Sequence, residues 1–282
     1  MQSSLILLVF AVGLRSQWGD LFHVVRRPRL FLSGIVAVNV VVPAVAVTMV
    51  VLLPIAPVTK AGIVAMAAAP MAPFLPAKML KLGAAQPFAT GFYVALIITA
   101  IPVVPATVWL IGRLTGHQVG LPVDELALFV LTSVLLPLLA GRLVAGVVGE
   151  RAATLAKLAT NAAYVILLPI VLLLLVKTGG GIAALVGDGT LVAIAVTVLV
   201  GLLMGHALGG PEPANRRATA QAAAMRHPGI AAMFLRDNSA DQHAMLAVVL
   251  FLLLSVIISA FYDAWITKRD RAAGGETPHE AL

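Results

Sequence analysis

The sequence predicts an all-α integral membrane protein of about nine transmembrane helices, built as inverted repeats with two broken helices. Three observations carry that reading. First, 61% of the 282 residues are hydrophobic and 11% are charged, with mean hydropathy +1.03, whereas a soluble domain carries about 25% charged residues. Second, the few charges bound uncharged runs long enough to span a bilayer, which takes about 20 apolar residues. Third, two spanning-length stretches contain helix breakers near their centres.

The helices follow in order. Residues 2–17 form a short apolar helix without the basic leader or small-residue cleavage site of a signal peptide. Residues 30–54 run uncharged from Arg29 and end at Pro54 and Pro57. Residues 58–82 hold Pro70, Pro73 and Pro76 in "APMAPFLPAK", and each proline removes a backbone donor. Residues 86–113 and 123–148 are the next two, Arg142 lying close enough to the second one's end to snorkel. Then come 155–177, 183–208, 214–236 and 240–267; the stretch 214–236 is interrupted at Pro228–Gly229 beside Arg226.

The basic residues orient these spans, because Lys and Arg concentrate in cytoplasmic loops. Arg15, Arg26, Arg27, Arg29, Lys81, Arg142, Arg151, Lys157, Arg216, Arg217, Lys268, Arg269 and Arg271 fall on one side; Lys60, Arg113, Lys177 and Arg236 fall on the other. The N-terminus is therefore expected outside the cell (inner) membrane and the C-terminus in the cytoplasm. Lys78 and Arg226 remain inside the broken stretches, with Lys78 near enough to the cytoplasmic end to snorkel. The +7 net charge reads as topology, not as a nucleic-acid partner. Cysteine is absent, which excludes disulfides and thiolate sites. There is no HExxH, P-loop or GxSxG, and Gly179–Gly181 falls in a predicted loop, so no enzyme and no cofactor are expected.

The broken helices are third and eighth in order, so a repeat relating them is inverted across the membrane. Interrupted segments at matching positions of two inverted halves point to a secondary transporter's binding site. Breaking a helix there frees N–H and C=O groups and exposes half-helix dipole ends that hold a substrate or ion.

From "LLVFAVGL" through "VVRRPRLFLSGIVAVNVVVPAVAV" and "AAAPMAPFLPAKMLKLGA" to "ATAQAAAMRHPGIAAMFL", the chain resembles the bile acid:sodium symporter family over nearly its whole length. The resemblance implies panel and core helices with the broken pair crossing in the core. It implies core helices near 30–113 and 183–267, panel helices near 2–17, 123–148 and 155–177, and a polar cytoplasmic tail over 268–282. The whole of 1–267 is then one transporter domain.

The sequence departs from that family at the sodium ligands. Where the family's first break carries Pro-Gly-Gly and then Ser-Asn, this chain has Pro70 to Pro76 with no side-chain oxygen. Where the second carries Glu and then Gly-x-Gln-Asn, it has Ala222, Ala224, Arg226 and His227. Asn39 matches a family ligand position, and Thr90 and Thr99 supply hydroxyls. No metal site is expected from these residues.

The function this implies is alternating-access transport of a small or amphipathic organic anion. Arg226 neutralises the anion, because a guanidinium fork matches carboxylate and sulfonate, or it caps freed carbonyls. His227 is a proton carrier or a neutral hydrogen-bonded filler of the crossing. Gln221, Asn39, Thr90, Pro73, Pro76 and Gly229 complete the expected substrate site. Coupling is expected to be sodium-independent or proton-linked. The alternatives are sodium coupling through backbone ligands, Asn39 and Thr90, or a non-transporting membrane sensor or scaffold. Membrane lipid is the remaining partner.

Overall fold

The computed structural model describes residues 2–23, 26–115, 123–185, 187–236 and 242–272. Among them the elements are helices: α1 (Gln2–Arg15), α2 (Pro28–Leu52), α3 (Pro57–Ala68), α4 (Leu75–Lys81), α5 (Gln86–Thr115), α6 (123–148), α7 (Ala152–Ala184), α8 (Thr190–Leu208), α9 (Pro213–Ala224), α10 (Pro228–Arg236) and α11 (Gln242–Ala272). Five stretches are long and apolar enough to cross a membrane: Pro28–Leu52, Gln86–Leu110, Val123–Pro169, Thr190–Leu208 and His243–Arg269. Large apolar side chains such as Val147, Val165, Val176 and Phe261 point outward, as lipid-facing positions do. The chain is an all-helical, multi-pass membrane protein. The tail beyond residue 272 lies outside the described residues.

Proline decides most helix starts. Pro28, Pro57 and Pro213 stand at first-turn positions, where a missing N–H costs nothing. Two prolines also widen helices. Val36–Val41 in α2 and Leu131–Leu135 in α6 form π-turns, followed closely by Pro43 and Pro137. A proline ring collides with the carbonyl four residues earlier, and a wider turn relieves that collision. Pro102, Pro105 and Pro169 stay inside continuous helices.

The boundary between α7 and α8 differs most from the sequence expectation, and α11 also runs on to Ala272 rather than ending at 267. Helix α7 runs through Gly179–Gly181 to Ala184, and α8 begins at Thr190 rather than 183. The glycine triplet carries no proline, so it weakens the helix without ending it. Gly187 and Gly189 turn the chain instead, with φ of 128° and 90°, and Asp188 Oδ1 accepts from the Thr190 backbone N–H (3.0 Å) and hydroxyl (2.6 Å).

Small residues set which helices touch. α1 packs along α6 and α7, where a Cβ on Gly13 would lie 2.2 Å from the Leu138 carbonyl oxygen and one on Gly141 2.2 Å from that of Phe10. α8 packs on α9 through Gly201, Gly205 and Gly209, four residues apart; a Cβ on Gly205 would stand 2.6 Å from Ala220 Cα. In a membrane, where lipid is as apolar as leucine, such close backbone approach drives helix association. α3 lies against α11, α2 and α10. Each tryptophan carries an arginine over its ring: Arg142 on Trp18, Arg113 on Trp109 and Arg269 on Trp265. That pairing suits an interfacial belt, with the ring in the headgroups and the charge in water.

Candidate functional site

The two interrupted segments meet as extended backbone. The break between α3 and α4 and the break between α9 and α10 pair in an antiparallel bridge at Met71 and Arg226. Ala72 N–H donates to the Met225 carbonyl at 3.1 Å, and His227 N–H donates to that of Pro70 at 2.8 Å. Pro70 and Pro73 stop the first segment from closing as helix, and Pro228 cannot extend α9. Each break thus uses the other to satisfy backbone groups that neither could satisfy alone in hydrocarbon.

Arg226 is buried completely at this crossing. Its Nε donates to the Ala67 carbonyl at 3.1 Å, and Nη2 donates to the Val38 carbonyl at 2.5 Å and to Ala67 as well. Both acceptors owe their availability to local interruptions of the helical hydrogen bonding, a helix end in one case and a π-turn in the other. Ala67 lies in the last turn of α3, and Val38 lies in the π-turn, five residues before Pro43, which has no N–H to return. The guanidinium therefore staples α2, α3 and the second break together. Its Nη1 has no partner, and among the described residues no carboxylate pairs with it. The site is a fixed positive charge whose remaining donor is unused.

His227 is buried beside it, and Nδ1 accepts from Ile230 N–H at 3.3 Å, capping the first turn of α10. An accepting Nδ1 puts the ring's proton on Nε2 in the neutral form. Phe129 from α6 meets the ring edge-on at 5.6 Å. Gly229 lies against the same ring, where an added Cβ would stand 3.1 Å from Cε1. Asn39 is buried one residue after the Val38 acceptor, and neither its side-chain nitrogen nor its oxygen has a partner.

The other expected residues lie elsewhere. Thr90 is buried and its hydroxyl accepts from Gln86 Nε2 at 2.8 Å; Thr99 donates to Ala95 of its own helix at 2.8 Å. Pro73 and Pro76 line a cavity of about 20 Å³ between α1, α4 and α5, room for about one water. A wider concavity of about 670 Å³, flanked by Arg27, Arg29 and Glu212, contains none of the expected site residues.

Gln221 belongs to a second polar cluster. Lys78 Nζ of α4 donates to Gln221 Oε1 of α9 at 2.8 Å and lies 3.0 Å from Asp263 Oδ2 of α11, while Gln221 Nε2 donates to Asp263 Oδ1 at 2.7 Å. Lys78 is thus tied between helices instead of snorkelling freely. Asp263 escaped the sequence reading because it marked the end of the last span; its place at the same membrane end as Lys78, with opposite charge, was the available signal. Phe129 and the Val38 and Ala67 carbonyls were also missed, the carbonyls because main-chain acceptors carry no residue signature.

The profile of the Sodium Bile acid symporter family matches residues 3–188, about two thirds of the chain and including the first break. No curated protein matches the chain.

Proposed function

The chain belongs to the sodium bile acid symporter family, whose members are transporters and not enzymes, and on that premise we propose that it carries a small or amphipathic organic anion across the cell (inner) membrane by alternating access. One observation carries the choice of an anion: Arg226, buried at the crossing, has an unpartnered Nη1 and, among the described residues, no carboxylate counter-ion. An ionised group at membrane depth is expensive and is kept for a ligand or a partner. Here two of its nitrogens serve the fold and the third awaits an anion.

In this reading the helices cross the membrane nine times, with the N-terminus outside and the C-terminus inside. α1, α6 and α7 form the panel and the remaining helices the core. The cavity at Pro73 and Pro76 holds about 20 Å³, far below a pocket of a few hundred Å³ for an organic ligand, so α1 and α7 must separate from α4 and α5 to admit substrate. Asn39, with both side-chain polar atoms unused, is the polar group best suited to orient the anion next to Arg226. His227 sets the start of α10 and shapes the wall. Gln221 acts at the Lys78–Asp263 cluster, away from the anion.

Uptake of a panel of labelled carboxylates and sulfonates, taurocholate included, into proteoliposomes tests the proposal. Saturable uptake of at least one anion is expected, with Arg226→Lys lowering it at least tenfold because a single ammonium cannot replace the fork. Full activity in that variant, or no uptake of any anion by a folded wild type, overturns it.

A further inference from the structure

The family's coupling cation requires oxygen atoms converging at the breaks. In this chain two carbonyls that face the crossing, that of Ala67 in the last turn of α3 and that of Val38 in the π-turn of α2, already accept from the guanidinium of Arg226. The side chains from Pro70 to Pro76 and from Ala222 to Met225 contain no oxygen. Asn39 Oδ1 is one uncommitted side-chain oxygen next to these carbonyls, and a sodium ion there would sit beside a buried positive charge in a low-dielectric site. The residues present do not fit a sodium ion.

We propose that Arg226 is a resident cation. Its guanidinium occupies, permanently, the carbonyl cage that a mobile coupling ion would otherwise enter and leave. The ion that would bring the broken helices together and balance the substrate is thereby built into the chain. Two consequences follow, the second resting on the anion-transport reading above. Sodium does not stabilise the protein, and each turnover moves only the substrate's own negative charge. An inside-positive membrane potential then drives anion uptake and an inside-negative one drives efflux. The fold keeps its ion-dependent geometry and loses its ion dependence.

The direct test needs no substrate. The thermal unfolding midpoint of the purified full chain is measured in sodium chloride and in choline chloride at equal ionic strength, for the wild type and for Arg226→Lys and Arg226→Ala. The wild type and Arg226→Lys are expected to show the same midpoint in both salts. Arg226→Ala is expected to lose several degrees and to recover at least half of that loss in millimolar guanidinium but not in choline. A wild-type midpoint raised by sodium overturns the proposal. So does an Arg226→Ala protein as stable as the wild type, or one that guanidinium does not restore; if Arg226→Ala cannot be purified, the wild-type sodium comparison decides alone. A flux measurement separates this inference from the transport reading. Using whichever anion is carried, a valinomycin-imposed inside-positive potential is expected to raise initial uptake severalfold with no sodium present. Potential-independent or sodium-stimulated flux overturns the resident-cation proposal and leaves anion transport standing.

Discussion

Arg226 and Lys78 are the two cations that the sequence places inside broken helices, and they are held in opposite ways. Arg226 is fully buried and bonded to main-chain carbonyls from two other helices. Lys78 keeps 23% of its side chain exposed and is bonded to side chains, Asp263 and Gln221. The difference separates two ways to stabilise a charge in a membrane. At the crossing, a helix end and a π-turn leave carbonyls without helical donors, and a cation meets a need the backbone already has. At the membrane end, a charge brings its own counter-charge, water stays near, and the backbone is indifferent. The first arrangement resists substitution and the second tolerates it.

The contrast predicts a graded set of losses. Arg226→Ala leaves two buried carbonyls without donors at about 1–3 kcal/mol each, so a destabilisation of about 3 kcal/mol is expected by steric trapping or by thermal unfolding in detergent. Asp263→Asn breaks a part-exposed ion pair, and a double-mutant cycle with Lys78→Met is expected to give a coupling of about 1 kcal/mol that shrinks as salt rises. A larger loss for Asp263→Asn than for Arg226→Ala would reverse the contrast. Phe129→Leu removes the edge-on contact to His227 and is expected to cost about 0.5–1.5 kcal/mol. Smallest is Arg113→Gln, about 0.5 kcal/mol, because the cation over Trp109 is also bathed in water or headgroups. Its stability should change little between detergents, unlike that of the crossing variants.

Much of this was legible in the sequence for local reasons. A proline removes a donor wherever it stands, so Pro70, Pro73 and Pro228 announced both breaks without any tertiary information. Pro54 and Pro57 likewise closed α2 within two residues of its end at Leu52. Charge scarcity singled out Arg226 and Lys78, since the other lysines and arginines of those stretches, Lys60, Lys81, Arg216, Arg217 and Arg236, fall close to their ends. What stayed hidden depends on partners distant in the chain. The widened turn before Pro43 looks in sequence like any Pro-containing helix, because Pro102 and Pro105 sit in α5 with no such turn. Arg226 reads in sequence first as an anion trap and second as a carbonyl cap, and only the approach of residues 38 and 67 shows that it caps with two nitrogens and leaves the third. The glycine triplet near residue 180 failed as a loop signal because glycine weakens a helix by only about 1 kcal/mol, whereas Gly187 and Gly189 need backbone angles that other residues avoid.

The row of Gly201, Gly205 and Gly209 has a mechanical meaning. Because no methyl group separates α8 from α9 at Gly205, the two backbones are in close contact there, and the pair packs as one plate. Any motion that opens the crossing on the side of α9 must carry the whole 19-residue length of α8 with it. The outer face of that plate leaves Val192, Leu199 and Leu203 exposed, apolar positions suited to acyl chains. In the proposed alternating-access cycle, the viscosity and thickness of the surrounding bilayer set the friction on that motion, so the turnover rate is expected to follow lipid chain length and fluidity even where substrate affinity does not.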